Sequence, residues 1–230
     1  MVILIADAAW MAYRYTRQDS WKNVDVLLVG VKKYSLDLSE YLHPTRLSAH
    51  NFQLTQDLCR SYNATGITED IYIPQNIQLM QALRPDLQEI AVIGDCQFFG
   101  IYSTLLVKKY LQEYPSDLKF TFLDGRFLST NTLYERLQHH SPNTGILLTG
   151  WMQDAEGYLY DHEKVHHNIC QLAPTPVFSV TDWGNNNIDY IGGYYAESFD
   201  YGVLLSELAL RVLGGVPAKA IPLQSNTQSL

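Results

Sequence analysis

Positive charge is scarce in this chain of 230 residues: 16 Lys and Arg stand against 24 Asp and Glu, for a formal net charge of -8. That balance argues against a nucleic-acid backbone or an anionic membrane surface as the main partner, since both demand clustered cations. Cysteine is scarce too. Cys59, Cys96 and Cys170 are widely spaced, the odd count cannot pair completely, and no C-x-x-C occurs, which excludes a zinc ribbon and a thioredoxin motif. No apolar run reaches the ~18 residues that a membrane-spanning helix requires. G-x-S-x-G, G-x-G-x-x-G and the P-loop are all missing, so no nucleophile elbow, dinucleotide fingerprint or phosphate cradle is announced. There is no low-complexity tract and no repeat at solenoid periods.

Apolar residues, by contrast, are plentiful. They make up 47% of the chain against 17% charged, enough for a substantial core in one large α/β domain or two lobes of about 100 residues each. Met1 leads straight into a strand at Val2-Ile3-Leu4-Ile5 without a charged leader or cleavage site, so the chain reads as part of something longer. Strands are expected at 2–5, 25–29, 90–93, 120–123, 146–148 and 177–180, and 65–69 reads as a strand or a crossover. Helices are expected at 8–15, 52–60, from Pro74 to Pro85, 101–114, 131–138, 162–172 and from Phe199 to Leu213. The last is closed by Gly214-Gly215 and Pro217. Strands alternating with helices of roughly 10 to 15 residues give parallel sheets built from βαβ units. The passage from Glu69 to Pro74 suits a crossing between two lobes.

Each of five strand ends carries a polar or aromatic group: Asp7 with Trp10, Lys32 with Tyr34, Asp95 with Phe98, Trp151 with Asp154, and Asp182 with Trp183. Ligands of open α/β sheets sit beyond the carboxyl ends of the strands, in sites that combine aromatic walls with a few fixed polar groups. Taken singly, such aspartates cap helices and such aromatics fill core. The recurrence at five ends points to a binding cleft. His162 and His166 stand i,i+4 on a helix at a spacing zinc accepts, but no third ligand is visible, and a solvated helix face is the expectation there. His139-His140 suits a helix C-terminus. No metal and no cofactor is expected.

Three stretches resemble the substrate-binding protein family of ABC transporters, with the type I periplasmic-binding fold. The first is Thr65-Gly66-Ile67-Thr68-Glu69, followed by a helix, Arg84-Pro85 and the strand from Ile90 to Gly94-Asp95. The second runs from Ile146-Leu147-Leu148 to Trp151, with Asp154 and Gly157. The third, and most specific, is Ile191-Gly192-Gly193-Tyr194, then Tyr201-Gly202, 207–215, Pro217 and Ile221-Pro222. Gly30-Val31-Lys32-Lys33 is most similar to versions fused to bacterial sensor histidine kinases as extracytoplasmic input domains. The resemblance implies two Rossmann-like lobes with parallel sheets: 1–72 in lobe one, 73–190 in lobe two, 191–219 returning to lobe one, and 220–230 a final strand crossing back. It also implies that the family's first strand lies outside this sequence.

By that resemblance the chain is a periplasmic ligand-sensing domain of a two-component system. It would signal by lobe closure to membrane and kinase segments of the same polypeptide, with a homodimer as a further expectation. It would be no enzyme in itself and no nucleic-acid binder. An ABC-transporter binding protein is the alternative, and an enzyme or a domain serving only protein contacts are the remaining ones. The residues expected to line the ligand cleft are Asp7, Trp10, Tyr34, Glu69, Asp95, Phe98, Trp151, Asp154, Asp182, Trp183 and Tyr194. The acidic members would pair with an amine or hydroxyls, and the aromatic ones would stack.

Overall fold

The computed structural model describes residues 1–183, 190–195 and 200–225. Gly184, the polar run 185–187, Phe199 and the end of the expected last strand, 226–230, lie outside the described residues. The chain forms two compact units, one of Met1–Ile71 with Ala196–Leu230 and the other of Tyr72–Tyr195.

In the first unit, β1 (Val2–Ile5), β2 (Val26–Val31), β5 (Ala64–Thr68) and β10 (Gln224–Ser225) form one sheet in the order β1-β2-β5-β10. Every pairing in it is parallel. Alternation sorts the strand residues onto two faces. Val26, Leu28, Val31 and Ala64 pack with Trp10 and Tyr13 of α1 (Ala6–Thr16) and with Cys59 of α3 (Thr55–Ser61). Leu27 and Ile67 face the other way, onto Leu208 and Val212 of α8 (Asp200–Leu213). Between β2 and β5 the chain makes the short helix α2 (Leu38–Tyr41). It also makes an antiparallel pair, β3 (Tyr34–Ser35) with β4 (Gln53–Leu54), which the hydrophobic pattern did not announce. Two-residue strands leave no periodicity to read.

The second unit repeats the plan. Its sheet takes β6 (Glu89–Gly94), β7 (Lys119–Asp124), β8 (Thr144–Leu148) and β9 (Val177–Ser179) in the order β7-β6-β8-β9, again all parallel. Ala91, Ile93, Ile146 and Leu148 pack against Leu133 and Leu137 of α6 (Thr130–Gln138) and Val165 and Ile169 of α7 (His162–Leu172). The opposite face meets α5 (Phe98–Glu113), where Thr104 closes on Gly94, and α5 in turn packs on α4 (Ile73–Leu83). The inner strands of both sheets, β2 and β5 in one and β6 and β8 in the other, are buried on two sides, which is why they do not alternate between apolar and polar residues.

Ile191 to Tyr195 lie in this second unit rather than in the returning segment. Ile191 donates its N–H to Val177 O at 2.9 Å, and Ser179 donates to Gly192 O at 2.9 Å, so the stretch runs beside β9. Asn76 holds its far end by accepting from Tyr194 N and donating to Tyr194 O, both at 2.8 Å. A Cβ on Gly193 would collide with the Ser179 carbonyl, so only glycine permits this approach. The first unit's last strand adds to β5 through Gln224 and Ser225.

Candidate functional site

In the first unit the carboxyl ends of three neighbouring strands bring Asp7, Lys32 and Glu69 together. β1 turns directly into α1, and Ala6 at the junction has φ +64°, a left-handed conformation that costs a non-glycine residue on the order of 1 kcal/mol. The turn buries Asp7, whose carboxylate accepts from the backbone N–H of Lys32 at 2.9 Å. The carbonyl of Lys32 is fixed in turn by the Thr55 hydroxyl at 2.7 Å. The Lys32 side chain is only 4% exposed and pairs with Glu69, itself held by a bond from its N–H to Val31 O at 2.8 Å. Burial pushes Asp7 up to about 6 despite the opposing pull of the Lys32 ammonium, and the Glu69 charge adds to the rise. A buried carboxylate poised this far from its ordinary value, beside a lysine and a second carboxylate, is the arrangement functional sites use. Lys32 belongs with Asp7 and Glu69, and its place directly after Gly30-Val31 at a strand end was the signal for it.

Tyr34 lies just beyond, half-buried and stacked on Phe52 with ring centroids 5.3 Å apart. Trp10 corrects the sequence reading. It is wholly enclosed, stacked on Tyr13 at 6.1 Å and edge-on to Tyr62 at 5.3 Å, so it presents no face to a ligand. It sits on the inward stripe of an amphipathic helix, where a large aromatic fills core.

In the second unit two of the expected carboxylates are organisers of the strand-end loops. Asp95 accepts from the backbone N–H groups of Gln97 at 3.1 Å and Met152 at 2.9 Å, and the amides of Gly100 and Gln153 also point to it. Burial raises its pKa even against those four donors. Asp154 accepts from Thr130 N and Thr130 Oγ1, both at 2.9 Å, from the Tyr160 hydroxyl at 2.8 Å and from Glu156 N at 3.0 Å. Burial works against its charge, but these bonds outweigh it and hold the pKa below the ordinary value. Trp151 joins the same network, donating from Nε1 to Thr130 Oγ1 at 2.9 Å, and is wholly buried. Asp95, Asp154 and Trp151 therefore build the loop rather than meet a ligand.

Half-buried aromatics do remain at that edge. Trp183 stands over Gly150, whose Cβ, if it had one, would lie 3.2 Å from the indole. Phe99 meets Trp183 edge-on at 5.8 Å, and His162 lies 6.3 Å from it. Phe98 stacks on Tyr102 at 5.8 Å, and Tyr194 meets Tyr72 edge-on at 5.1 Å. Asp182 is exposed beside Trp183.

His166 overturns the expectation of a solvated helix face. It is wholly buried with Val165 and Ile169 on the inward stripe of α7. Its Nε2 accepts from Trp151 N at 3.1 Å, which places the proton on Nδ1, and its ring is 4.9 Å from Trp183. Burial pushes its pKa down to about 4, with His162 contributing, so the imidazole is neutral at pH 7. Its i, i+3 relation to Ile169, which is itself i, i+4 from Val165, carried that signal in the sequence. Among the described residues no group of three metal-ligating side chains converges, and no helix is long and apolar enough to cross a membrane.

No protein-family model and no curated protein matches the sequence. Solved structures do match in fold. A conserved domain protein from Vibrio cholerae O1 biovar El Tor aligns with 99% of this chain and 68% of its own at 15% identity and TM-score 0.58. The ABC domain from Streptococcus pneumoniae, solved in complex with L-Trp, aligns with 100% of this chain and 69% of its own at 16% identity and TM-score 0.64. CD0873, a substrate-binding protein with adhesive properties from Clostridium difficile in its ligand-free, open form, aligns with 99% and 68% at 12% identity and TM-score 0.64. At these identities the likeness concerns the fold: this chain has the α/β fold, with parallel sheets in two units, of periplasmic substrate-binding proteins.

Proposed function

We propose that this chain is a small-ligand-binding domain that acts by binding and not by turnover. The observation that carries the reading is the cluster of Asp7, Lys32 and Glu69 at the carboxyl edge of a parallel sheet, two of its members buried and one of them held near a pKa of about 6. Stability alone would not select such a group. At that cluster, Glu69 and Tyr34 supply polar and aromatic contacts of the kind small-molecule sites use; the second unit, by itself, carries half-buried Phe98, Phe99, Trp183 and Tyr194 at its own sheet edge. The S. pneumoniae neighbour's L-Trp makes an amino acid the first ligand to try.

A thermal-shift screen of the chain against amino acids, nucleosides, sugars and small aromatic acids tests this. A ligand at 100 times its dissociation constant should stabilise the fold by about 2.7 kcal/mol, and Trp183→Ala should remove the shift. Silence across the panel, or a shift that survives both Trp183→Ala and Glu69→Ala, overturns the reading.

The resemblance around Gly30-Val31-Lys32-Lys33 supports a periplasmic sensing domain of a two-component histidine kinase. Ligand-favoured closure would there be transmitted through the membrane, to the extent of the ligand's differential affinity for the closed state. The description of the C. difficile neighbour as a substrate-binding protein favours a second reading, delivery of a solute to an ABC transporter. Fractionation of the cells that make the protein separates the two. The sensing reading expects these residues inside a membrane-embedded, autophosphorylating polypeptide. The transport reading expects them free in the periplasm or on a lipid anchor.

A further inference from the structure

The residues that follow Lys32 and Glu69 are again one basic and one acidic, and they take no part in that pair. Lys33 and Asp70 instead line a cavity of about 350 Å³ within the first unit, together with Leu54, Gln56, Leu223 and Ser225. Neither Lys32 nor Glu69 borders it. Its walls are pinned by hydrogen bonds from three directions. Thr55 donates its N–H to Lys33 O at 3.0 Å, which seats the lysine beside the start of α3 and so beside Gln56. Leu223 donates its N–H to Gln56 Oε1 at 2.9 Å, and the Ser225 hydroxyl donates to Asp70 Oδ2.

These bonds leave particular groups unused. Among the described residues Lys33 and Asp70 form no ion pair, with each other or with any third group. The Lys33 ammonium lies 5.6 Å from the centroid of the Tyr34 ring. The Gln56 NH2 group has no acceptor and Asp70 Oδ1 has no donor among the described residues. Opposite charges that share a cavity without pairing stand apart in it. The donors, Lys33 and Gln56, come from the β2 and α3 side, and the acceptor comes from the side where Ser225 of β10 holds it.

We propose that this cavity is a second binding site, for a small zwitterion of the amino-acid class. The ligand carboxylate lies on Lys33 and the Gln56 NH2 group, its ammonium on Asp70 Oδ1, and an apolar side chain against Leu54 and Leu223. Charge selects this class. A plain anion would gain Lys33 but face Asp70, and a plain cation would meet the reverse; a molecule carrying both charges meets each with its opposite. Apolar lining with a few fixed polar groups, in a space of this size, is what small-molecule sites use. The site is separate from the Asp7, Lys32 and Glu69 cluster and does not rest on the reading given to it.

Titration calorimetry of the 230-residue chain with the proteinogenic L-amino acids tests the proposal. At least one should bind. Its decarboxylated amine and its deaminated acid should each bind roughly ten- to a hundredfold more weakly, the range for losing one charged hydrogen-bond partner. Lys33→Gln, and Asp70→Asn, which keeps an oxygen for Ser225, should weaken binding by the same factor. Neither side chain is buried, so both variants should melt within about 2 °C of wild type. Binding that both variants leave intact overturns the proposal, and so does the failure of every amino acid to bind. Binding lost in Glu69→Ala but kept in Lys33→Gln and Asp70→Asn belongs to the other cluster and overturns it as well. A thermal shift that survives Trp183→Ala and Glu69→Ala but not Asp70→Asn rules out that cluster and supports this cavity.

Discussion

Replacing Asp95 by alanine should cost the second unit about 3 to 5 kcal/mol, the range for stripping a buried, charged acceptor from its donors. The carboxylate is nearly inaccessible and ties three pieces of chain together: the end of β6, the entry of α5 through Gln97 and Gly100, and the 150–153 loop through Met152 and Gln153. Alanine would leave these buried backbone N–H groups without their carboxylate acceptor. Asp95→Asn keeps one acceptor oxygen but turns an NH2 group toward one set of N–H donors, so it should fall between wild type and alanine. Urea unfolding followed by tryptophan fluorescence measures both. The loop-organising role assigned to Asp95 fails if alanine costs less than about 1 kcal/mol.

That role shows where the sequence was legible and where it was not. The strands Val2–Ile5 and Glu89–Gly94 and the helix His162–Leu172 could be read because apolar runs and amphipathic stripes follow from burial, and burial is written in the pattern. Strand-end aspartates could be read as positions but not as roles. Asp7, Asp95 and Asp154 look alike in the chain, yet backbone amides saturate Asp95, while Asp154 takes hydroxyls as well as amides. Asp7 meets one backbone amide beside a lysine–glutamate pair. The partners that separate these roles, Met152 for Asp95, Thr130 for Asp154 and Lys32 for Asp7, stand 57, 24 and 25 positions away, a distance that no local motif records. The same holds for aromatic residues: Trp10 and Trp183 both follow strand ends, and only packing makes one of them core and leaves the other half-buried. The resemblance puts Ile191 to Tyr195 in the returning segment, whereas they belong to the second unit. Their hydrogen bonds to Val177 and Ser179 are long-range, and these decide the matter.

Asp7→Asn should make the protein more stable and a poorer binder, and the gain should depend on pH with a sign opposite to that of an ordinary structural carboxylate. The folded state holds Asp7 near a pKa of about 6, against 3.8 for the unperturbed group. Between those values the folded chain binds a proton that the unfolded chain has released, so stability falls as pH rises through that window. Above pH 6 the cost levels off at about 3 kcal/mol, at 1.36 kcal/mol per unit of displacement. Asparagine resembles the protonated acid. It keeps an oxygen for the Lys32 N–H at 2.9 Å and leaves the Lys32–Glu69 pair in place. Urea unfolding at pH 7.5 should therefore show a gain of about 2 to 3 kcal/mol for the variant, shrinking through pH 5 and vanishing near pH 4. A loss of stability at pH 7.5 would instead make Asp7 a structural partner of Lys32, and the reading of this cluster as a functional site would fall with it. If the gain appears together with weaker binding of a ligand found in the thermal-shift screen, the buried charge is retained for the ligand, because the fold is more stable without it.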